Sequence, residues 1–559
     1  MCSRIVLLAL LLASGCKSNG TFALVQVAKG AATPGGIVSL RIEPTLEGQA
    51  GTPVTLADPG NAELGFPTEV ALRIRNGTGL LKIVAVALAG DGSELDRGSN
   101  SGTVVAGETV TIPITLGAAM MPVDMMGPPQ PVVLTVMKSG TGTGRVTSSP
   151  PGLDCGPTCS AGFDANTMVT LTPVADKGSG FTGFSGDCVG NQVCVVTLSV
   201  ARNVTAGFVK ANYAFLTSTL QPSGNLGGLA GADGICKARA TAALLPGTYV
   251  AWLSGGGADG ITRLGTANGW VRTDGRPFAL SRASLFTDKH VLYPLVLDEF
   301  GNQINGDLVA TAGNGISSGD CGNWSQAGAG VSYTKGESGG GTGCWTFRGV
   351  ATCDMPFRLY CFGTDNDATF VIPKTAARRA FITAGVFDPK DGIAGADALC
   401  TAEATAATLD GTFKAFLSTT TASAASRFSV APSNWVRADG VEVARTAGEL
   451  LMTSQAMPHL IAPINVSADG NTYYGDSGND IYAWTGSTDA TMAGAATDTC
   501  MNWTMNLTTA PAATGAIGHA CLAYESTFTA GVMDTPFFTV RTGCDGTAAN
   551  GNHLYCLQD

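Results

Sequence analysis

The chain has 559 residues, of which 45% are hydrophobic and only 13% charged, with 75 Gly and 26 Pro. That balance describes loop-rich folded domains, about four at ~150 residues each, and excludes a disordered chain. A net charge of −11 excludes nucleic acid as a partner, because such binding is led by Lys and Arg neutralising phosphates.

At the amino end, Arg4 precedes an apolar run from Ile5 to Ala13, too short to span a bilayer as a permanent helix. The run ends in Leu12-Ala13-Ser14-Gly15-Cys16. Residues 1–16 therefore resemble a bacterial lipoprotein signal peptide. The resemblance implies that Cys16 is acylated as the first mature residue and that Cys2 is removed. Lys17 stands where aspartate retains such lipoproteins at the inner membrane, which implies an outer-membrane anchor. An ordinary secretory signal with a chance cysteine is the alternative. No later stretch approaches the ~20 apolar residues of a membrane helix, so the membrane is expected as a partner through lipid alone.

The 16 cysteines, less Cys2 and Cys16, leave 14 for the mature domains, and their clustering suggests disulfides in an oxidising compartment. The spacings Cys155-x3-Cys159 and Cys188-x5-Cys194 could also be zinc ligand pairs. They sit in Gly- and Thr-rich hairpin sequence of an exported chain, where thiolates are hard to keep reduced, so no metal is expected.

Residues 17–35 read as a tether. Period-two alternation in Val38–Ile42, Val70–Arg75 and Val110–Leu116, with turns at Asn76-Gly77 and Gly90-Asp91-Gly92, predicts a β-sandwich over 36–118. Pro113 would lie on an edge strand. A Met- and Pro-rich linker occupies 119–131. Residues 132–209 contain Gly144-Arg145-Val146-Thr147, Asp154-Cys155-Gly156-Pro157-Thr158-Cys159, Phe181-Thr182-Gly183-Phe184 and Val204-Thr205-Ala206-Gly207-Phe208. These resemble the divergent bacterial β-repeat related to the internalin B-repeat, which implies a small β-grasp-like stalk module; the family often has Trp where Phe184 stands. Fewer than ~80 residues make a poor core alone, so two local disulfides have a structural purpose there. Nearest partners give Cys155–Cys159 and Cys188–Cys194, with a crossed arrangement as the alternative.

The rest of the chain is written twice. Residues 210–363 carry Gly231-Ala232-Asp233-x-x-Cys236, Gly247-Thr248-Tyr249-Val250-Ala251-Trp252-Leu253-Ser254, Trp270-Val271-Arg272-Thr273-Asp274-Gly275, Cys321-Gly322-Asn323-Trp324 and Leu359-Tyr360-Cys361. After a linker at 364–378, residues 379–559 repeat the order with Gly395-Ala396-Asp397-x-x-Cys400, Gly411-Thr412-Phe413-Lys414-Ala415-Phe416-Leu417-Ser418, Trp435-Val436-Arg437-Ala438-Asp439-Gly440, Cys500-Met501-Asn502-Trp503 and Leu554-Tyr555-Cys556. The period is far too long for a solenoid repeat, so each copy is a domain with a fixed scaffold and variable loops. The linker is short enough for the heads to pack together. A helix is expected from Ala232 to Ala243, before Pro246-Gly247, and a buried strand from Tyr249 to Leu253.

The motif set resembles the leptospiral endostatin-like family of bacterial surface lipoproteins, and endostatin itself has a similar Gly-Thr-Phe-x-Ala-Phe-Leu-Ser segment. The resemblance implies a C-type-lectin-like fold and nested disulfides, Cys236–Cys361 with Cys321–Cys353 and Cys400–Cys556 with Cys500–Cys544. Cys344 and Cys521 are then left over, either bonded to each other and locking the heads or buried as thiols. Endostatin's zinc and heparin sites do not carry over. The four histidines, His290, His459, His519 and His553, are unclustered; Arg263, Arg272, Arg276 and Arg282 are scattered; the calcium motif of sugar-binding lectins is absent. His553, where the first copy has Arg358, reads as a surface residue.

Trp270, Trp324, Trp435 and Trp503 are weak candidates for a glycan platform, since rings stack on sugars, although tryptophan beside a disulfide is more often core. Asn323 and Asn502 would satisfy buried backbone groups beside the rings. The fold class expected is multidomain and mainly β with α+β heads: a β-sandwich, a β-grasp-like repeat and two C-type-lectin-like domains. The function expected is a surface-exposed adhesive or ligand-binding lipoprotein, its specificity carried by Gly301–Gly343 and Ala468–Asp498 and its partner an extracellular protein or glycan. A structural or accessory envelope lipoprotein is the alternative. An enzyme on a lectin-like fold is more remote, because no base, nucleophile and orienting partner recur at corresponding places; no catalytic residue and no cofactor are expected.

Overall fold

The computed structural model describes the chain from Thr21 to Asp559 except residues 32, 59–61, 75–77, 118–130, 157, 287–289, 305–307, 312–318, 375–376, 432, 453–459, 472–480, 505–513, 520–525, 528–532, 535–539 and 545–551. The segment 1–16 expected to be a signal peptide, with Cys16, and the expected linker at 119–131 apart from Pro131, lie outside the described residues. The chain is multidomain and mainly β, and it divides into two compact units, Met1–Gln130 and Pro131–Asp559.

The first unit packs two sheets face to face. One has the order Thr68–Ile74, Thr21–Lys29, Thr109–Leu116, and the other is built on Ser39–Leu46, Gly79–Leu88 and Glu94–Val104. Alternate residues, among them Leu40, Ile42, Leu72, Ile83 and Ile112, meet in a single core, as period-two strands require. Pro113 lies on an edge strand, where its missing N–H costs no ladder bond. The tether expected over 17–35 needs correction. Thr21–Lys29 is the middle strand of its sheet, antiparallel to Thr68–Ile74 and parallel to Thr109–Leu116. Its Ala23, Val25 and Val27 are fully buried, so this alternation is core-forming rather than linker sequence.

The second unit opens with a small β module over 132–209, called the β-repeat below after the resemblance noted in its sequence. A four-stranded sheet, in the order Ser160–Phe163, Val132–Ser139, Arg202–Lys210, Ser179–Gly186, packs on a three-stranded one of Gly144–Ser149, Met168–Ala175 and Cys194–Thr197. Phe181, Phe184 and Phe208 fill the space between them, with Phe181 edge-on to Phe184 at 5.0 Å. The disulfides Cys155–Cys159 and Cys188–Cys194 staple its loops.

The heads share one topology. In the first, Asn212–Leu216 pairs antiparallel with Arg358–Gly363 and parallel with Trp270–Val271, while Arg358–Gly363 also pairs with Tyr249–Ala251 and Leu308–Ala310. The second repeats this with Arg378–Ile382, His553–Gln558, Trp435–Val436, Phe413–Ala415 and Tyr482–Trp484. A 15-residue helix, Gly228–Ala242 or Gly392–Ala406, buries Ala232, Cys236 and Ala240, or Ala396, Cys400 and Ala404. These positions recur every four residues, so they form the one stripe that faces the sheet. Cys236–Cys361 and Cys400–Cys556 pin each helix to its central strand across sequence separations of 125 and 156 residues. Closing loops that long removes on the order of 5 kcal/mol of unfolded-chain entropy each.

The segment at 364–378, expected to be a linker, is strapped to the β-repeat for much of its length. Val371 N donates to Phe181 O at 2.7 Å, and Lys374 N donates to Asn191 O at 2.7 Å. Phe370 lies where a Cβ on Gly180 would come within 2.3 Å of its ring, so only glycine admits it.

Candidate functional site: buried anchors and the seam between the heads

The tryptophans do not form a glycan platform. Trp270, Trp324, Trp435 and Trp503 are each 0% exposed, and each indole N–H is spent on a backbone carbonyl. Trp324 donates to Ser254 O at 2.7 Å and Trp503 to Ser418 O at 2.8 Å, so the Cys-x-Asn-Trp motif grips the last residue of the Leu-Ser motif in both heads. Trp270 donates to Gly363 O and Trp435 to Gln558 O. Rings of this size are the largest apolar groups available to fill a core, and burial leaves their faces unavailable to a ligand.

The other shared motifs are likewise turned inward. Asp233 accepts from Ala251 N at 2.9 Å and pairs with Arg263, whose guanidinium also donates to the Ala251 and Leu253 carbonyls. Asp397 accepts from Ala415 N at 2.9 Å and pairs with Arg427, which donates to Ala415 O. Arg272 and Arg437, 3% and 0% exposed, hold Asp274 and Asp439 two residues on and donate to Pro294 O and Pro463 O. Each buried charge therefore has the partner it requires.

The asparagines of Cys-x-Asn-Trp do not serve buried groups, although Asn502 Oδ1 does accept from a backbone N–H, that of the exposed Thr420, at 3.0 Å. Asn323 and Asn502 are exposed, and they lie in a run of four left-handed residues: φ is 50, 61, 58 and 59° from Cys321 to Trp324, and 46, 57, 61 and 59° from Cys500 to Trp503. Left-handed backbone costs L-residues about 1–2 kcal/mol each, least for Gly and Asn. The turn is held by a cap, with Asp320 accepting from Asn323 N and Thr499 from Asn502 N, both at 3.0 Å. The disulfides Cys321–Cys353 and Cys500–Cys544 anchor it further.

His553 is not a surface residue. It is 7% exposed and its Nδ1 lies 2.7 Å from Thr383 O, where Arg358 donates to Thr217 O in the first head. Burial is the largest influence on its pKa and lowers it. His459 lies outside the described residues, as does Cys521. Cys344, 5% exposed, is disulfide-bonded, which removes the buried-thiol alternative for it. The segments Gly301–Gly343 and Ala468–Asp498 are not simple loops, because they contain the strands Leu308–Ala310, Ser332–Glu337 and Tyr482–Trp484.

The heads do pack together, as the short linker allows, along a seam whose residues the motifs do not name. Leu292 and Tyr293 of the first head form one buried cluster with Val441, Ile461 and Ala462 of the second, and Val296 joins the second head's main core. The Tyr293 hydroxyl accepts from Glu442 N at 3.0 Å, and Arg276 lies over the Tyr293 ring at 5.5 Å. His290 Nε2 lies 2.7 Å from Asp439 Oδ2. Burial pushes the Asp439 carboxyl up, but Arg437 and His290 outweigh it and hold it well below the usual carboxylate range. The signal lay in two matching apolar runs, Val291-Leu292-Tyr293-Pro294-Leu295 and Leu460-Ile461-Ala462-Pro463-Ile464.

Among solved structures the chain is similar to a leucine-rich repeat protein from Bacteroides thetaiotaomicron, at 15% identity over 34% of this chain and 27% of that one, with a TM-score of 0.14. It is also similar to the Bacillus anthracis TIE protein, at 10% identity over 37% of this chain and 38% of that one, with a TM-score of 0.13. The T-13 major pilin of Streptococcus pyogenes is 7% identical over 34% of this chain and 97% of the pilin, with a TM-score of 0.11. The chain thus spans well under half of the first two, and likeness at this level carries no argument. No curated protein matches the chain. Residues 382–522, which include the second head's Gly-Ala-Asp-x-x-Cys and Cys-x-Asn-Trp motifs, match the family described as Protein of unknown function (DUF1554).

Proposed function

We propose that the chain is a lipid-anchored, surface-exposed protein of the bacterial outer membrane whose two endostatin-like, lectin-like heads bind an extracellular protein or glycan. The observation that carries this reading is the fate of the shared motifs. Apart from the exposed Asn323 and Asn502, the tryptophans, cysteines and Asp–Arg pairs common to both heads are buried or answered internally, so the repeated pattern is used for scaffold. What distinguishes the copies is the connections between anchors, Trp270 to Cys321 against Trp435 to Cys500 and Trp324 to Leu359 against Trp503 to Leu554. A rigid scaffold displaying variable connections is how binding proteins place recognition residues. The leader with Cys16 and the Cys-rich composition support the envelope location.

The test is protease treatment of intact cells with antibody detection of the heads. Loss of the heads while a periplasmic marker stays intact supports the proposal, and persistence of the heads until the cells are lysed contradicts surface exposure. Mass spectrometry of the mature amino terminus checks the anchor: acylated Cys16 is expected, and an unmodified terminus beyond residue 16 refutes it.

A further inference from the structure

Where the β-repeat meets the first head, a cleft of about 380 Å³ opens, within the ~300–1,000 Å³ range of small-molecule sites. Its floor is fixed by Asn212, 3% exposed, which donates to Asn268 O at 2.7 Å and Asn366 O at 2.8 Å. The same side chain accepts from the backbone N–H groups of Asp365 and Asn366 at 3.1 and 3.0 Å. The walls approach closely because glycine lines them: a Cβ on Gly142 would sit 2.3 Å from Val209 O, and one on Gly178 2.9 Å from the Tyr213 hydroxyl.

Around this rigid floor stand polar groups that the fold leaves unused. Lys177, Lys210 and Tyr213 are among the residues lining the cleft, and their ammonium and hydroxyl groups have no partner among the described residues. Asp365 uses Oδ2 to accept from Thr248 N at 2.6 Å, leaving Oδ1 as an acceptor. Partial burial raises the Tyr213 pKa, which keeps the phenol protonated as a donor. Two lysines without partners, lining a cleft with a preorganised polar floor, favour an anion of limited size despite the chain's overall negative charge.

We infer that this cleft binds a carboxylate-bearing sugar unit, its carboxylate between Lys177 and Lys210 and its ring hydroxyls on Tyr213 and Asp365. The site goes beyond the binding by variable connections proposed above and stands without it. The test is calorimetric titration of the full mature protein with glucuronate, glucose and acetate at low and high salt. Glucuronate is expected to bind with an affinity that salt weakens, and glucose and acetate to show no saturable heat. Each lysine supplies a charge-assisted contact, so K177A/K210A is expected to weaken glucuronate at least about tenfold. Both lysines are exposed, so the melting temperature should not move. Y213F is expected to weaken the sugar while leaving the salt dependence intact. Absence of glucuronate binding, equal binding of acetate, or unchanged binding by K177A/K210A overturns the assignment. If it fails while the protein still binds an extracellular ligand, the cleft is refuted and the wider functional proposal survives.

Discussion

At the scale of single residues, the two heads share an Asp–Arg pair but differ where His553 stands in place of Arg358. Asp397 and Arg427 are mostly covered, with side chains 30% and 15% exposed. Asp397→Ala leaves the Ala415 N–H without its acceptor and Arg427 without its carboxylate, with only the Ala415 carbonyl still accepting from the guanidinium, which is expected to cost about 2–3 kcal/mol in denaturant unfolding; a loss under ~0.5 kcal/mol would contradict the structural role given to the pair. His553 predicts a pH dependence. Its folded pKa lies below the ordinary 6.5 because burial disfavours the imidazolium. The unfolded chain therefore takes up a proton first, and the contribution is fully present above about pH 6.5 and declines as pH falls through the folded value. His553→Arg copies the first head's Arg358 and does not titrate in this range. The stability difference between wild type and variant should shift in the variant's favour on going from roughly pH 8 to pH 5, and a pH-independent difference would rule this out.

At the scale of elements, the left-handed turn at Cys-x-Asn-Trp is the clearest backbone strain in the heads. The first head has Gly322 at the second position and the second head has Met501, 49% exposed and at φ 57°. Met501→Gly relieves about 1–2 kcal/mol of steric cost and adds about 0.5–1 kcal/mol of unfolded-chain entropy. A net stabilisation of about 0.5–1 kcal/mol is expected, and destabilisation by thermal or chemical unfolding would show that the turn is not strained there. The motifs were visible in the sequence because they are rigid, but their purpose was not. Cys-x-Asn-Trp announces a disulfide and a buried ring, whereas nothing in the four letters announces four consecutive positive φ values or the Ser254 and Ser418 carbonyls that the two indoles reach. Strand periodicity locates most of the sandwich, but the tether expected over 17–35 hides a core strand, since the alternation in Thr21–Lys29 rests on small Ala23 with Val25 and Val27. The helix expected from Ala232 begins four residues earlier, at Gly228, with Gly228 and Gly231 in its first turn. His553 was misplaced for another reason, since burial of a polar side chain beside a carbonyl leaves no periodic trace.

At the scale of the molecule, the seam makes the two heads one mechanical unit. Leu292, Tyr293, Val441, Ile461 and Ala462 are all at most 7% exposed, and removing the Tyr293 ring takes away apolar burial and the Glu442 hydrogen bond together. Tyr293→Ala is expected to cost about 3–5 kcal/mol and to split a shared calorimetric transition of the heads into two. A single unchanged transition would mean the heads unfold together for another reason. The disulfide at Cys344, with Cys521 as the partner proposed from the sequence, would reinforce this union. A nonreduced peptide map is expected to join those two cysteines, and alkylation of the unreduced protein should label neither.

The central claim is that this doubled scaffold exists to hold an extracellular ligand. The most direct measurement is binding of the full mature protein to an array of glycans and matrix proteins, repeated with the Tyr293→Ala variant. The account predicts saturable binding to a restricted set of array members, weakened when the seam is loosened. Uniform background across the array, from a protein shown to be folded, would contradict it.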